Sequence, residues 1–273
     1  MTAVPVLSID DAGDARFTDY RAIPDRLARS DGTFVAEGRL VVRRLLESRF
    51  ATRSVMVTIQ AFSALEDLIG ARPDLPVYVV PQALMNDVAG FNIHRGCLAI
   101  GERPAPVSWE TLARGARRLV ALERVGDADN VGAIFRAAAA FAAGGVLLDE
   151  ACADPLYRKA VRTSMGATLE VPFADGVALP ATIDALKGEG WTVVGLTPAP
   201  AVPSLQDVVA VTHANRVVVV LGHEGEGLTT GALGACTHLA RIPTTTAVDS
   251  LNVAMAAGVA LYELSRAREA PPS

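Results

Sequence analysis

Along the chain, short Val- and Leu-rich blocks alternate with longer stretches in which apolar positions recur every third or fourth residue. After a polar leader, residues 24–28 and 40–46 read as helices, 55–59 as a strand, 64–69 as a helix and 77–80 as a strand. Further on, strands are predicted at 118–123, 145–148, 192–196, 217–221 and 240–242, and helices at 131–143, 155–163, 181–189, 229–235 and 251–268. Strands and helices alternating at this spacing form a mostly parallel sheet covered on both faces, so the fold class is α/β. The stretch 101–107 (GERPAPV) is rich in proline and glycine where the first alternating unit ends, and reads as a linker. The expected organisation is a smaller N-terminal α/β domain over 1–105 and a larger parallel-sheet domain over 106–273.

Composition narrows the function classes. A chain of 273 residues with 51% hydrophobic content can bury two ordinary cores. Its formal net charge of -5 argues against a surface that grips nucleic acid everywhere by bulk electrostatics. The charge is uneven: Lys and Arg stand against Asp and Glu as 15 to 14 over residues 1–120, and as 10 to 16 beyond. A grip on phosphates therefore falls to the N-terminal part or to local patches. Arg39, Arg43 and Arg44 lie at near-helical spacing with Arg49 and Arg53 just beyond, which gives either a basic binding face or a solvated one.

Cys97, Cys152 and Cys236 are far apart and odd in number, and His94, His213, His223 and His238 lack paired ligand spacing, so neither a disulfide framework nor a metal site is expected. The first residues carry Asp10, Asp11 and Asp14 without a basic start or an apolar core, unlike a secretory signal. Apolar runs such as 217–221 and 137–143 are too short to span a bilayer. The expectation is a cytoplasmic protein.

Three loop-forming strings carry the candidate chemistry: 129–136 (DNVGAIFR), 221–228 (LGHEGEGL) and 242–252 (IPTTTAVDSLN). In the first, Asn130 is placed as the cap of a helix that carries Arg136. In the second, Gly222, Gly225 and Gly227 leave few side chains between a strand end and a helix start, so main-chain groups can approach a ligand closely. A tight structural turn reads the same way. A dinucleotide fingerprint fits poorly, because GHEGEG lacks the GxGxxG spacing and sets two carboxylates where pyrophosphate would lie. Glu224 is a loop or ligand contact, or a carboxylate complementing a helix dipole. In the third string, Ser250 passes as a helix cap, while Asn252 sits in apolar company and needs hydrogen-bond partners.

These three strings, in this order, resemble the signature motifs of the SpoU/TrmH-type RNA ribose 2'-O-methyltransferases of the SPOUT class. The likeness spans roughly residues 119–264 and includes 162–172 (RTSMGATLEVP) between the first two motifs. A weaker likeness at 34–46 (FVAEGRLVVRRLL) and 94–100 (HRGCLAI) is similar to the substrate-binding domain often fused ahead of it. The resemblance implies a trefoil-knotted SPOUT domain, S-adenosylmethionine as cofactor, an RNA substrate with ribosomal RNA ahead of transfer RNA, and a homodimer whose partner completes each site. Neither DNA nor a membrane is an implied partner. It implies a cofactor pocket at Leu196, Thr197, Gly222, Glu224, Gly225, Ile242, Pro243 and Leu251, and catalytic roles for Asn130, Arg136, Glu224, Ser250 and Asn252. RNA contacts would come from Arg39, Arg43, Arg44 and Arg162. In the family this arginine has been proposed as the base, yet a guanidinium is protonated at any accessible pH, so Arg136 is read as a phosphate clamp and alkoxide stabiliser or as a base in an unusual environment. Thr244, Thr246 and His223 depart from the family pattern. Two other classes stay open: an RNA-binding protein that keeps the fold without catalysis, and a small-molecule enzyme whose glycine loop holds a nucleotide.

Overall fold

The computed structural model describes residues 6–21, 32–212, 215–245 and 250–266. It divides into two compact units, Met1–Ala105 with Pro155–Glu170, and Pro106–Asp154 with Val171–Ser273.

The first unit is built on β1 (Val6–Ser8), β2 (Thr33–Glu37), α1 (Arg39–Glu47), β3 (Thr52–Val57), α2 (Ile59–Ser63), α3 (Glu66–Gly70), β4 (Val77–Val79), α4 (Gln82–Ala89) and β5 (Cys97–Glu102). Its mixed sheet runs β1-β4-β3-β5-β2, parallel from β1 to β3 and antiparallel where β5 meets β3 and β2. Phe17 and Tyr20, from a 3-10 turn at Ala15–Tyr20, are fully buried against Tyr78, and the Tyr20 hydroxyl lies 2.8 Å from Ser54 Oγ. The polar leader thus contributes a strand and two core aromatics. The helix expected at 24–28 lies outside the described residues.

The expected linker starts too early. Gly101 and Glu102 belong to β5, and a Cβ on Gly101 would meet the Phe34 ring at 2.3 Å, so this glycine makes room for a neighbouring strand's aromatic. A strand glycine of this kind marks close approach rather than a chain break.

The second unit comprises α5 (Trp109–Gly115), β6 (Arg118–Leu122), α6 (Ala128–Ala140), β7 (Gly145–Leu148), then, after a departure over α7 (Arg158–Thr163), β8 (Phe173–Ala174), α8 (Leu179–Gly188), β9 (Thr192–Leu196), α9 (Leu205–Thr212), β10 (Val217–Leu221), α10 (Thr230–Ala235), β11 (His238–Ala240) and α11 (Val253–Arg266). Six strands, all parallel, run β11-β9-β10-β6-β7-β8. Central strand β10 (VVVVL) is buried at every position, as a parallel strand covered on both faces must be. Leu112, Ile183, Leu186, Trp191 and Leu228 pack with Val218 and Val220 in one core cluster. The alanine-rich α6 and α11 pack along each other, and α11 also contacts β10.

Segment Pro155–Glu170, expected within the C-terminal domain, packs with the first unit instead, where α7 meets β2. Buried Glu37 accepts from Arg158 at 2.9 Å and faces Arg162 at 3.9 Å, and the Arg158 guanidinium also stacks 4.2 Å from the Phe91 ring centroid. A buried carboxylate needs such partners; no local sequence pattern announces a pair 121 residues apart.

Candidate active site

Parallel strands place their carboxyl ends on one edge, where loops gather into a crevice. Here the loops after β9, β10 and β11, with the start of α11, enclose a cavity of about 420 Å³. That size falls within the roughly 300–1,000 Å³ usual for small-molecule sites. Leu196, Thr197, Gly222, Glu224, Gly225, Ile242 and Leu251, grouped by the resemblance as a cofactor pocket, all line it, and so does Ser250, which the resemblance names as catalytic. Pro243 is not in the wall. The reading missed Arg241, which follows β11 and lines the cavity while donating to the Val202 carbonyl at 3.2 Å.

The glycine loop is held from several sides. His223 Nδ1 accepts from the N–H groups of Gly225 and Glu226 at 3.0 and 3.2 Å, and the Gly227 N–H donates to the His223 carbonyl at 2.9 Å. Gly222 is packed so tightly that a Cβ there would lie 2.3 Å from the Gly227 carbonyl carbon and 2.4 Å from Leu228 N. Buried Glu123, just past β6, accepts from Thr229 N and Thr229 Oγ1 at 2.7 Å each, while Thr229 caps α10 through Ala232 N. Arg124 donates to Glu226 at 2.8 Å and holds that carboxyl below its ordinary range. The Glu123 and Arg124 anchors are not visible in sequence, because their partners lie 106 and 102 residues away.

The three motifs meet in a hydrogen-bond chain. Asn130 Nδ2 donates to Glu224 Oε1 at 2.7 Å, and Asn252 Nδ2 donates to Asn130 Oδ1 at 2.9 Å. Asn252 Oδ1 accepts from Ala254 N and Met255 N at 2.9 and 3.3 Å, so it caps α11. Two local expectations are thereby corrected. The α11 cap is Asn252, which is exposed rather than buried, and not Ser250. Asn130 is not the cap of α6: Asp127 accepts from Asp129 N at 2.8 Å and does that work, which frees the Asn130 amide to bridge two loops. Among the described residues, the second oxygen of Glu224 makes no hydrogen bond and remains able to accept one.

Arg136 lies six residues beyond Asn130, about 9 Å along the α6 axis. It is exposed, outside the cavity wall, and makes no hydrogen bond or ion pair with a described residue. The other arginines named from sequence differ sharply in freedom. Arg43 is engaged by Asp67 and the Ala64 carbonyl, Arg44 faces Glu170 at 3.3 Å, and Arg53 faces Asp19 and Glu102. Arg39 is exposed and pairs with no described carboxylate, and Arg162 is half exposed beside Glu37.

Residues 117–262 match the model of the SpoU rRNA Methylase family, more than half of the chain. The chain belongs to the SpoU rRNA methylase family. It is 38% identical to an uncharacterised tRNA/rRNA methyltransferase of Mycobacterium bovis over 96% of this chain and 92% of that protein. An AdoMet-bound rRNA methyltransferase of Sinorhizobium meliloti superposes with a TM-score of 0.77 at 25% identity, over 96% of this chain and 98% of that one. A SpoU methyltransferase of Streptomyces viridochromogenes gives 0.79 at 21% identity over 94% and 99%, a likeness of fold. The α/β fold is thus that of the SpoU proteins, and the trefoil knot follows from this membership. No described helix is long and apolar enough to cross a membrane.

Proposed function

We propose that this SpoU-family chain transfers a methyl group from S-adenosylmethionine to a ribose 2'-hydroxyl of structured RNA in the cytoplasm, with ribosomal RNA as the preferred substrate and transfer RNA as the alternative. The observation that carries this reading is the Glu224–Asn130–Asn252 chain set beside a cavity that Glu224 also lines. The cavity suits the cofactor chemically. Its wall combines apolar Leu196, Ile242 and Leu251 with main chain at Gly222, which fits a neutral adenosine better than a phosphate cradle would, and Glu224 offers a carboxylate to a cationic group. The bound cofactor supplies an electrophilic methyl carbon. Leu196, Thr197, Gly222, Gly225, Ile242 and Leu251 hold it, Asn130, Ser250 and Asn252 orient the ribose, and Arg136 stabilises negative charge as the 2'-hydroxyl loses its proton. Incubation with tritium-labelled S-adenosylmethionine and, separately, ribosomal or transfer RNA tests this: label appears in the RNA at a nucleotide resistant to alkaline cleavage. Label on a base, or none in either RNA class, overturns the reading.

The RNA grip falls on the arginines least tied to carboxylates, Arg39, which pairs with no described one, and half-exposed Arg162, 3.9 Å from Glu37. Replacing Arg39 or Arg162 with Ala is expected to weaken RNA binding and reduce the salt slope by about one counterion each, whereas Arg43→Ala changes the slope less because Asp67 already neutralises that charge. Binding measured across a salt series checks this, and equal slopes for all three variants contradict it.

A homodimer completes the reading. Met255, Val259 and Tyr262 form an exposed apolar stripe at helical spacing along α11, a face that water leaves unsatisfied. Sedimentation is expected to give a dimer at micromolar concentration, and Met255→Asp a monomer with little methyl transfer. A fully active wild-type monomer rejects the dimer.

A further inference from the structure

Arg124, in the turn between β6 and α6, has a backbone conformation that favours glycine: its φ is +57°, in the left-handed region. The end of β7 imposes it. The Arg124 N–H faces both carboxylate oxygens of Asp149 at 3.0 Å each, and Asp149 N donates to the Leu122 carbonyl at 3.2 Å. Backbone held in this way by its surroundings points to a use for the side chain it aims. That side chain reaches the glycine loop, where a terminal nitrogen donates to Glu226 Oε2 at 2.8 Å. A guanidinium carries five N–H donors, yet among the described residues this one makes a single hydrogen bond, and its buried Nε has no partner. Arg43 is the contrast: Asp67 takes both of its terminal nitrogens and the Ala64 carbonyl accepts a further bond.

We infer that Arg124 is a phosphate-binding residue of the RNA site, and that Glu226 occupies its guanidinium until a phosphate of the substrate strand takes the carboxylate's place. The inference rests on the RNA reading given above, and adds a contact beside the reacting groups to the grip assigned to Arg39 and Arg162. The two anchors from the end of β6 differ in kind. Glu123 is buried and both its oxygens accept from Thr229, whereas the Arg124 and Glu226 side chains are 35% and 70% exposed. An exposed pair contributes little to stability, so it can exchange partners while Glu123 keeps the loop in place. A phosphate engages two N–H groups of the planar fork where Glu226 engages one. The location fits: Glu226 lies two residues past Glu224, which joins Asn130 and Asn252, and Arg124 lies six residues before Asn130 as Arg136 lies six after it.

Filter binding of unmodified ribosomal RNA to the full chain across a salt series tests the inference, with wild type, Arg124→Gln, Glu226→Gln and the double variant. Arg124→Gln is expected to bind RNA about tenfold more weakly, with the salt slope reduced by about one counterion. Glu226→Gln is expected to bind about threefold more tightly, because the guanidinium no longer has a carboxylate to leave. In the Arg124→Gln background the second substitution is expected to add nothing. Both single variants break the same pair, so a merely structural anchor would weaken RNA binding in both, and that result overturns the inference. An equal gain from Glu226→Gln with and without Arg124 overturns it too, since bulk charge would then account for the effect. Calorimetric titration with S-adenosylmethionine separates loop from substrate: the two single variants are expected to change cofactor affinity alike. Opposite changes there, mirroring those in RNA affinity, would place the effect in the cofactor pocket and overturn the inference. Wild type that retains no RNA even at low salt refutes the RNA reading itself, and the inference with it.

Discussion

Arg136→Ala lowers methyl transfer by about 100-fold or more, the scale for losing a group that acts on transition-state charge, while S-adenosylmethionine affinity stays nearly intact. The expectation follows from where this arginine sits. Arg136 is outside the cavity wall and makes no ion pair with a described residue, so its removal strips no partner from the cofactor pocket and leaves no carboxylate orphaned. Its charge is therefore free to meet a phosphate and the developing alkoxide. Arg136→Lys keeps the charge but loses the planar fork, and is expected to recover only part of the rate. Single-turnover rates, with cofactor affinity measured separately, check the split between kcat and binding. Near-normal turnover in both variants contradicts the role.

Gly222→Ala is the converse case, with binding lost first. The added Cβ would stand 2.3 Å from the Gly227 carbonyl carbon and 2.5 Å from its oxygen, both main-chain atoms that no side-chain rotation can clear. The loop must therefore move as a body, and a displacement near 1 Å at a site of this kind costs about 100-fold. Cofactor affinity is expected to fall by about that factor, with a far smaller change in melting temperature, because β10 ends before the glycine and keeps its buried ladder. Unchanged affinity would mean that the loop is looser than its packing indicates.

How much of this was legible beforehand depends on whether the controlling interaction is local. Strand β10 could be read directly, since a run of valines ending in leucine suits only a strand buried on both faces. Helix α9 has no counterpart among the elements predicted from sequence, although Ser204 three residues before Asp207 is a usable start signal: Ser204 Oγ donates to Asp207 at 2.6 Å and accepts from Asp207 N at 3.2 Å. Strand β11 was placed two residues late, because Ile242 has strand character while the chain has already turned to line the cavity.

At the candidate site, motif resemblance supplied the residue types and the structure supplied their pairing. Asn130 was expected to cap its helix, and a local rule favoured that; the neighbouring Asp127 satisfies the same need, and the asparagine instead joins Glu224 and Asn252 across 94 and 122 residues. The Glu123–Thr229 and Arg124–Glu226 anchors had no sequence signal at all. His223 was visible as a departure but not as the acceptor that shapes the loop. Thr244 lines the cavity, while Thr246 lies outside the described residues.

The central claim is methyl transfer to a ribose hydroxyl of RNA, and mapping 2'-O-methylation tests it most directly. Ribosomal and transfer RNA are compared from cells that carry the chain, cells from which it has been removed, and cells in which wild type or Arg136→Ala is restored. The account predicts a 2'-O-methyl group that disappears with the chain, returns with wild type and stays absent with Arg136→Ala. Identical methylation maps in all four would contradict it.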